Sequence, residues 1–241
     1  MYGRVDWCTL CVQVYRGGGY SLVNAEMLLL EKAVTDVDEY DYYHLLSGQD
    51  LPIKSQDYIH EFFERNNGKE FVTFDNDGFD QYRRVSYYHF FQEQAGRENK
   101  GVFKWLNRTG LRIQKLIGFQ RNKEICFRKG TQWFSITNEL ARYVVAQKEY
   151  IDKVFRWTYC ADEVFLQTIV HNSIFRERLY VKQYDNSNKS KMRLIDWKRG
   201  HPYTFRMDDF EELKNSEMLF ARKFDAQQDE RIIKAIFEYL E

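Results

Sequence analysis

The stretch at residues 42–55 constrains this chain most, because an apolar, strand-like run meets a polar turn there. The run Tyr-Tyr-His-Leu-Leu leads directly into Ser-Gly-Gln-Asp, and one of the chain's 2 prolines follows. In α/β proteins ligands bind at the sheet edge where strands end, and Ser47, Gly48 and Asp50 bring a small residue, a chain reversal and a carboxylate to such an edge. The pattern is compatible with a nucleotide-sugar site, but taken alone it is equally that of a strand followed by a plain tight turn.

The length of 241 residues suits one large α/β domain, and no linker-like composition divides the chain. We therefore predict a single domain over residues 1–241. Lys plus Arg and Asp plus Glu number 36 each, so the net charge is zero and no overall field attracts nucleic acid. Any phosphate site must be local. Aromatic residues make up 17% of the chain, which suits a thick core and also the stacking of sugar rings.

The 4 cysteines are too few and too scattered for a disulfide framework. Cys8 and Cys11 have a metal-like spacing, but a second such pair is missing, and their apolar surroundings favour buried thiols over zinc or redox chemistry. The chain shows neither a signal peptide nor an apolar run near the roughly 18 residues that a membrane span requires. We expect a cytoplasmic protein, with the inner face of the membrane as a site of peripheral association.

Hydrophobic periodicity predicts strands and helices that alternate along the chain. A strand at 12–15, a glycine turn, a helix with Ser21 as its N-cap and a strand at 42–46 form a predicted βαβ unit, which implies a parallel pair. The remaining predicted strands are 70–74, 132–136 and 192–197, and the remaining predicted helices are 55–66, 137–147, one from about 162, and 230–240.

Two segments depart from this alternation. Residues 102–118 are basic and amphipathic, and we interpret them as a lid-like or acceptor-side excursion. Residues 184–191 are hydrophilic, and their composition predicts a flexible, exposed loop.

Asp162 and Glu163 are the first candidates for chemistry. They fall in the predicted first turn of an amphipathic helix, where unpaired amides and the helix dipole favour ionised carboxylates. A general base must be unprotonated at rest, so this position suits one. Ordinary helix capping by acidic residues is the alternative.

Two adjacent cations, Arg222 and Lys223, lie between apolar residues at 219–225. An unpaired buried charge is costly, and an anionic ligand such as a diphosphate would offset that cost. Arg199 and His201 follow the preceding predicted strand and could add charge-assisted hydrogen bonds to the same group. The alternatives are solvated surface cations, or a pair between Lys223 and Asp225.

Asp75 and Asp77 follow the predicted strand at 70–74. An Asp-x-Asp pair at a strand end could hold Mg²⁺ or Mn²⁺ against a nucleotide diphosphate, because these ions prefer oxygen ligands. Asp-Asn-Asp-Gly is also an ordinary turn, and the terminal Glu of a calcium loop is missing.

Five segments carry a resemblance to a known family. They are Gly-Gly-Tyr-Ser-Leu-Val-Asn-Ala-Glu at 18–26, Leu-Ser-Gly-Gln-Asp-Leu-Pro-Ile-Lys at 46–54, Lys-Gly-Thr-Gln-Trp-Phe at 129–134, Ala-Asp-Glu-Val-Phe at 161–165 and Leu-Phe-Ala-Arg-Lys-Phe-Asp at 219–225. In this order they resemble the core-2/I-branching β-1,6-N-acetylglucosaminyltransferase family, which also includes peptide O-xylosyltransferases. The segments span nearly the whole chain.

The resemblance implies a GT-A-like, Rossmann-type mixed sheet flanked by helices. It also implies an inverting, metal-independent transfer of a sugar, usually GlcNAc, from a UDP-sugar to a hydroxyl of a glycan or glycolipid acceptor. Glu163 matches the family's catalytic base, and Lys223 matches the lysine that stabilises the departing diphosphate. We expect Arg199 to be the partner arginine, with Arg222 beside it.

The same resemblance implies roles for the remaining candidates. Ser47, Gly48 and Asp50 match a turn near the nucleotide, and Trp133 and Asp162 match positions beside the acceptor. Either a cation pair or a metal must neutralise the leaving group, and here the cations are expected to do so. We therefore expect Asp75 and Asp77 to have a role in the turn or on the acceptor side, with a metal site as the alternative.

One departure from the family pattern concerns residues 1–11, which lack the family's opening strand and its Ala-His pair, while Arg16 stands where a Trp is common. We therefore expect a chain that is truncated relative to the family, with an incomplete donor pocket. The leading hypothesis is an enzyme of polysaccharide biosynthesis, and the alternative is a catalytically inactive carbohydrate-binding or scaffold relative.

Overall fold

The computed structural model describes residues 18–76, 82–96 and 101–241, and combines short strands with flanking helices. The strands are β1 (Tyr42–His44), β2 (Asp50–Pro52), β3 (Phe71–Val72), β4 (Phe134–Thr137), β5 (Arg193–Ile195) and β6 (Phe220–Arg222). The helices are α1 (Ser21–Val34), α2 (Gln56–Arg65), α3 (Tyr82–Val85), α4 (Gln92–Ala95), α5 (Gly101–Leu116), α6 (Asn138–Ala146), α7 (Lys148–Phe155), α8 (Phe165–His171), α9 (Phe210–Asn215) and α10 (Ala226–Leu240).

The described strands form two small sheets. One has the order β1-β4-β3 with antiparallel pairs, and the other has the order β2-β6-β5, in which β5 and β6 run parallel. The mixed α/β class is thereby confirmed, with two small sheets flanked by helices. The predicted strand at 12–15, with its parallel pairing, lies outside the described residues, as do Cys8, Cys11 and Arg16.

An aromatic cluster joins the two sheets. Phe71 on β3, Phe220 on β6 and Phe63 on α2 are all buried in it, and the rings of Phe63 and Phe71 lie 5.1 Å apart. Burial of such large apolar side chains is a leading source of folding free energy. Many of the aromatic residues therefore belong to the core, as the sequence analysis expects from their abundance.

The helix starts follow the sequence in most cases. Ser55 caps α2 by accepting a hydrogen bond from the Tyr58 amide, and Thr137 caps α6 by accepting from the Leu140 amide. The last helical span starts at Ala226, where the Asp225 carboxylate accepts from the Gln227 amide, and extended backbone at Asp229 interrupts it, so the predicted helix at 230–240 is the part after this break.

The start of α1 differs from the prediction that Ser21 is its N-cap. Tyr20 is the N-cap, and Ser21 is the first helical residue. The amide and the hydroxyl of Ser21 both donate to the Glu93 carboxylate at 2.8 Å, so a distant acid satisfies the helix terminus. A Cβ on Gly19 would lie 2.3 Å from that carboxylate, which explains the glycine.

The predicted exposed loop at 184–191 is wrong at its end. Lys189–Lys191 form a 3₁₀ turn in which Ser190 and Lys191 are buried. The Ser190 hydroxyl bonds to Thr73 Oγ1 at 2.9 Å, which holds this turn against the chain that follows β3. Composition alone suggested solvent, but tertiary packing encloses these polar side chains.

Within the described ranges, none of the helices combines the length and the apolar composition that crossing a membrane demands.

Candidate active site

The turn at residues 47–50 holds the Asp50 carboxylate at the start of β2. The Ser47 amide donates to Asp50 Oδ2 at 2.6 Å, and the Asp50 amide donates to the Ser47 carbonyl at 3.0 Å. Arg222 pairs with Asp50 across the sheet, and its Nη1 lies 3.3 Å from Asp50 Oδ2 and 3.2 Å from Ser47 Oγ. The predicted nucleotide-side turn, with the exposed Gly48 in it, therefore meets one of the predicted cations directly.

Arg193 on β5 is a wholly buried cation that the sequence analysis did not single out. Its Nη2 donates to the Leu45 carbonyl at 2.9 Å, and its Nη1 lies 4.0 Å from Asp50 Oδ1. Nε and Nη1 find no hydrogen-bond partner among the described residues. Burial lowers the pKa of Arg193 to about 10, with Asp50 opposing the shift and Arg222 adding to it. The group is charged at neutral pH, so an anion at these two N–H groups would be strongly stabilised.

Trp133 lies against both guanidinium groups. The guanidinium carbon of Arg222 is 4.3 Å from its ring centroid, and that of Arg193 is 4.8 Å away. These distances are those of cation–π contacts. Trp133 is 9% exposed, so its ring orients the two arginines and offers little free face. The predicted stacking of an acceptor sugar on this ring stays a prediction.

Glu163 lies in the 3₁₀ turn Ala161–Glu163, which precedes α8. The predicted first helical turn is therefore present as a 3₁₀ turn that lies before α8 and not inside it. Arg84 Nη1 donates to Glu163 Oε2 at 2.8 Å, and Lys129 Nζ lies 3.7 Å from the same oxygen. Two cations thus contact this partly buried carboxylate and compensate its negative charge.

Asp162, beside Glu163 in the same turn, is buried and faces a second acid. Glu26 on α1 is 5% exposed, and burial raises its pKa well above the usual value, with Asp162 adding to the shift. The predicted acceptor contact of Asp162 stays a prediction.

Lys129 connects Glu163 with Asp75. Its Nζ contacts Asp75 Oδ2 at 2.5 Å as well as Glu163. Gly130 permits this approach, because its amide donates to the Glu163 carbonyl and a Cβ there would lie 1.8 Å from the Thr73 carbonyl oxygen. Asp77 lies outside the described residues, and the described part of the chain groups no three His, Cys, Asp or Glu side chains as metal ligands.

Lys191 is a second buried cation that the sequence analysis did not recognise. It is 1% exposed, and burial lowers its pKa to about 8, with Arg193 adding to the shift and Asp75 and Asp185 opposing it. The structure gives its ammonium no hydrogen bond or ion pair with any described residue. One oxygen of Asp75 is likewise buried without a hydrogen bond to the described residues.

Lys223 and Arg199 differ in how much of their charge is already neutralised. Within the described chain the Lys223 ammonium makes no ion pair, and its expected alternative partner, Asp225, instead caps α10. Arg199 contacts three carboxylates, which belong to Asp196, Asp209 and Glu212. Lys223 can therefore accept an anionic ligand readily, whereas an anion at Arg199 would compete with three bound acids.

We call these charged groups the charged line. At one end, ion pairs join Glu163 and Asp75 through Lys129, and at the other end ion pairs join Arg193 and Arg222 through Asp50, with Lys223 next to Arg222 in the chain. The charge of the buried Lys191 is attracted by Asp75 and repelled by Arg193. A surface depression of about 630 Å³ elsewhere is lined by Glu139, Tyr143 and residues 172–175, and contains none of the predicted site residues.

A sequence signal for Arg193 existed. It stands between apolar residues in Met-Arg-Leu-Ile, the same pattern that singled out Arg222 and Lys223. Lys191 and Arg84 had no such signal, because each has a polar residue on its N-terminal side and only the packing of distant segments places them at the site.

Comparison with known proteins identifies relatives along most of the chain. A sequence model described as Core-2/I-Branching enzyme matches residues 11–219. Xylosyltransferase oxt of Drosophila melanogaster is 22% identical over 240 residues, which covers 92% of this chain and 26% of that protein. Xylosyltransferase 2 of Homo sapiens is 22% identical over 211 residues, covering 82% of this chain and 23% of that protein. The chain spans about a quarter of the length of these relatives.

Proposed function

Because this chain belongs to the core-2/I-branching enzyme family, a family of glycosyltransferases, we propose that it is an inverting glycosyltransferase. It transfers a sugar from a UDP-sugar to a hydroxyl of a glycan or glycolipid acceptor, on a GT-A-like fold. The observation that carries this proposal is the buried, incompletely bonded Arg193, which shares Asp50 with Arg222.

The proposed reaction is a single displacement. Glu163 takes the proton from the acceptor hydroxyl while that oxygen forms a bond to the anomeric carbon of the donor. The bond from the anomeric carbon to the diphosphate oxygen breaks on the opposite face, and the electron pair leaves with UDP. Because attack and departure occur on opposite faces, the configuration at the anomeric carbon inverts.

The departing diphosphate requires positive charge, and fixed cations can supply it without reorganisation. We propose Lys223, Arg222 and Arg193 for this role. Lys223 lacks an ion-pair partner in the described chain, and Arg193 has two N–H groups without a bond there. Arg199, the arginine expected from the sequence, remains the competing candidate, although three carboxylates already hold it.

The cations also bear on the choice between a metal-independent and a metal-dependent reaction. Lys129 neutralises Asp75, the one described member of the Asp-x-Asp pair, which supports a positioning role for that carboxylate. We therefore propose that transfer proceeds without Mg²⁺ or Mn²⁺. Activity that persists in EDTA supports this, and activity that returns only with added Mn²⁺ contradicts it.

Two sugars are proposed as candidates for the donor. The family resemblance favours GlcNAc, whereas the relatives compared above are named xylosyltransferases. UDP-GlcNAc and UDP-xylose are therefore the two donors to compare in a transfer assay.

Calorimetric titration with UDP tests the donor site directly. We expect saturable binding, and we expect Lys223→Ala to weaken it by about tenfold or more, because one charge-assisted contact is worth about 1.5–3 kcal/mol. No UDP binding by the folded protein contradicts the donor site and favours the carbohydrate-binding or scaffold alternative. UDP binding without transfer to any acceptor favours an inactive relative.

A further inference from the structure

Helix α5 presents its apolar residues to solvent. Trp105 is 63% exposed, Ile113 is 53% exposed and Leu116 is 85% exposed, and Val102 is exposed as well. The helical period of 3.6 residues places these four side chains on one side of α5. We call this set, Val102, Trp105, Ile113 and Leu116, the outer stripe.

The side of α5 that faces the protein combines polar and apolar residues. Asn107 and Gln114 are buried there, and they bond to the backbone of the segment that precedes α4. Asn107 Oδ1 accepts from the Phe91 amide at 3.1 Å, and the Gln114 amide group bonds to the amide and the carbonyl of Tyr88 at 2.8 and 3.0 Å. The half-buried Phe103 lies on the same side, with its ring 6.0 Å from that of Phe91. The outer stripe lies away from these inward contacts and stays exposed to solvent.

The charge of α5 indicates what covers the outer stripe. Lys104, Arg108, Arg112 and Lys115 lie along the helix, and residues 101–118 contain no Asp or Glu. Exposed aromatic and aliphatic side chains next to Lys and Arg are typical of helices that lie in the interface of an anionic bilayer. A second copy of the chain is disfavoured, because a self-complementary contact would bring two sets of these cations together.

We propose that α5 docks the protein on an anionic lipid bilayer, with the outer stripe inserted among the lipid chains and the four cations at the headgroups. Membrane binding by α5 does not depend on the proposed function.

Vesicle cosedimentation tests the proposal. We expect the protein to bind vesicles of phosphatidylcholine mixed with phosphatidylglycerol, to bind vesicles of phosphatidylcholine alone much less, and to dissociate in high salt. The double variant Trp105→Glu with Ile113→Glu should lose at least about tenfold in binding to the mixed vesicles. The matched control is Val37→Glu with Ile174→Glu, because both side chains are exposed and apolar but lie outside α5.

Two further measurements make the outcome decisive. Lipids with brominated chains should quench Trp fluorescence in the wild-type protein, and Trp105→Phe should remove most of that quenching. Circular dichroism of each variant confirms that it is folded. Failure to bind the mixed vesicles, equal binding to both kinds of vesicle, or equal losses in both double variants overturns the proposal. A wild-type dimer that the α5 variant dissociates also overturns it, and assigns the stripe to a second copy. All these readouts are independent of transferase activity.

Discussion

The two ends of the charged line differ in how their charges are balanced. At the Glu163 end, Arg84 and Lys129 surround one carboxylate, and Lys129 is shared with Asp75. At the Arg222 end, Arg193 and Arg222 share Asp50, and Arg193 keeps N–H groups without partners in the described chain. One end thus has a carboxylate whose charge the protein compensates, and the other has positive charge available for a ligand.

In the proposed reaction, the two ends serve the two sides of the displacement. A base needs its charge maintained before the reaction, so its neutralising cations are part of the protein. A leaving group brings its own charge, so the cations that meet it are left without full internal compensation. The proposed roles therefore follow from which charges the protein balances and which it leaves for a substrate.

The largest expected effect is that of Glu163→Gln. It removes the proton acceptor while keeping the shape of the side chain, so turnover should fall by about 10²-fold or more. UDP affinity should stay within a factor of about two, because the substitution lies at the other end of the line. Initial rates with saturating donor and calorimetry with UDP measure the two effects. Turnover near the wild-type value would remove Glu163 from the role of base.

The comparison of Arg193→Met with Arg199→Met decides between the two candidate arginines. We expect Arg193→Met to weaken UDP binding by about 10- to 100-fold, because charge-assisted bonds from a buried guanidinium are lost. Arg199→Met should have a smaller effect, since its charge is already paired with three acids.

A buried charge can also matter for folding, so Arg193→Lys serves as the second variant. It keeps the charge beside Asp50, and it should recover part of the UDP affinity in a protein whose circular dichroism is unchanged. A larger loss for Arg199→Met than for Arg193→Met would reverse the assignment.

Gly130→Ala tests the close contact between Gly130 and the backbone of Thr73. The added Cβ would lie 1.8 Å from the Thr73 carbonyl oxygen, so the backbone must shift. We expect the free energy of unfolding to fall by about 1–3 kcal/mol, as for overpacked cores. Gly48→Ala is the matched control, because a Cβ there meets nothing within 4 Å. Its effect should stay within about 0.5 kcal/mol in a urea titration. Equal stabilities of the two variants would contradict the steric argument.

The smallest expected effect is a proton taken up by Lys191 when UDP binds. Burial lowers the pKa of Lys191 to about 8, so at pH 8 about half of the molecules carry the proton. A bound anion favours the charged form and raises this pKa, so UDP binding at that pH should take up a fraction of a proton.

Calorimetry in two buffers with different ionisation enthalpies measures that uptake. The Lys191→Met variant should abolish it while it remains folded. Identical binding heats in both buffers for the wild-type protein would place the diphosphate away from Lys191.

Local sequence determined the elements whose signals are short-range. The caps at Ser55 and Thr137 and the mixed α/β class were predictable, because a cap depends on residues within one turn and strand periodicity on alternate positions. The ordered motifs also identified the family that the comparison shows. The predictions were wrong for Ser21 and for the end of the loop at 184–191, where Glu93 and Thr73 act from distant parts of the chain.

Tertiary structure alone decided how the charges are shared. The sequence presents Arg193, Arg199, Arg222 and Lys191 as four similar cations, but only packing shows that Arg199 is held by three acids while Arg193 and Lys191 are buried. The physical reason is that electrostatic free energy depends on distance and on burial, and neither quantity is encoded in spacing along the chain.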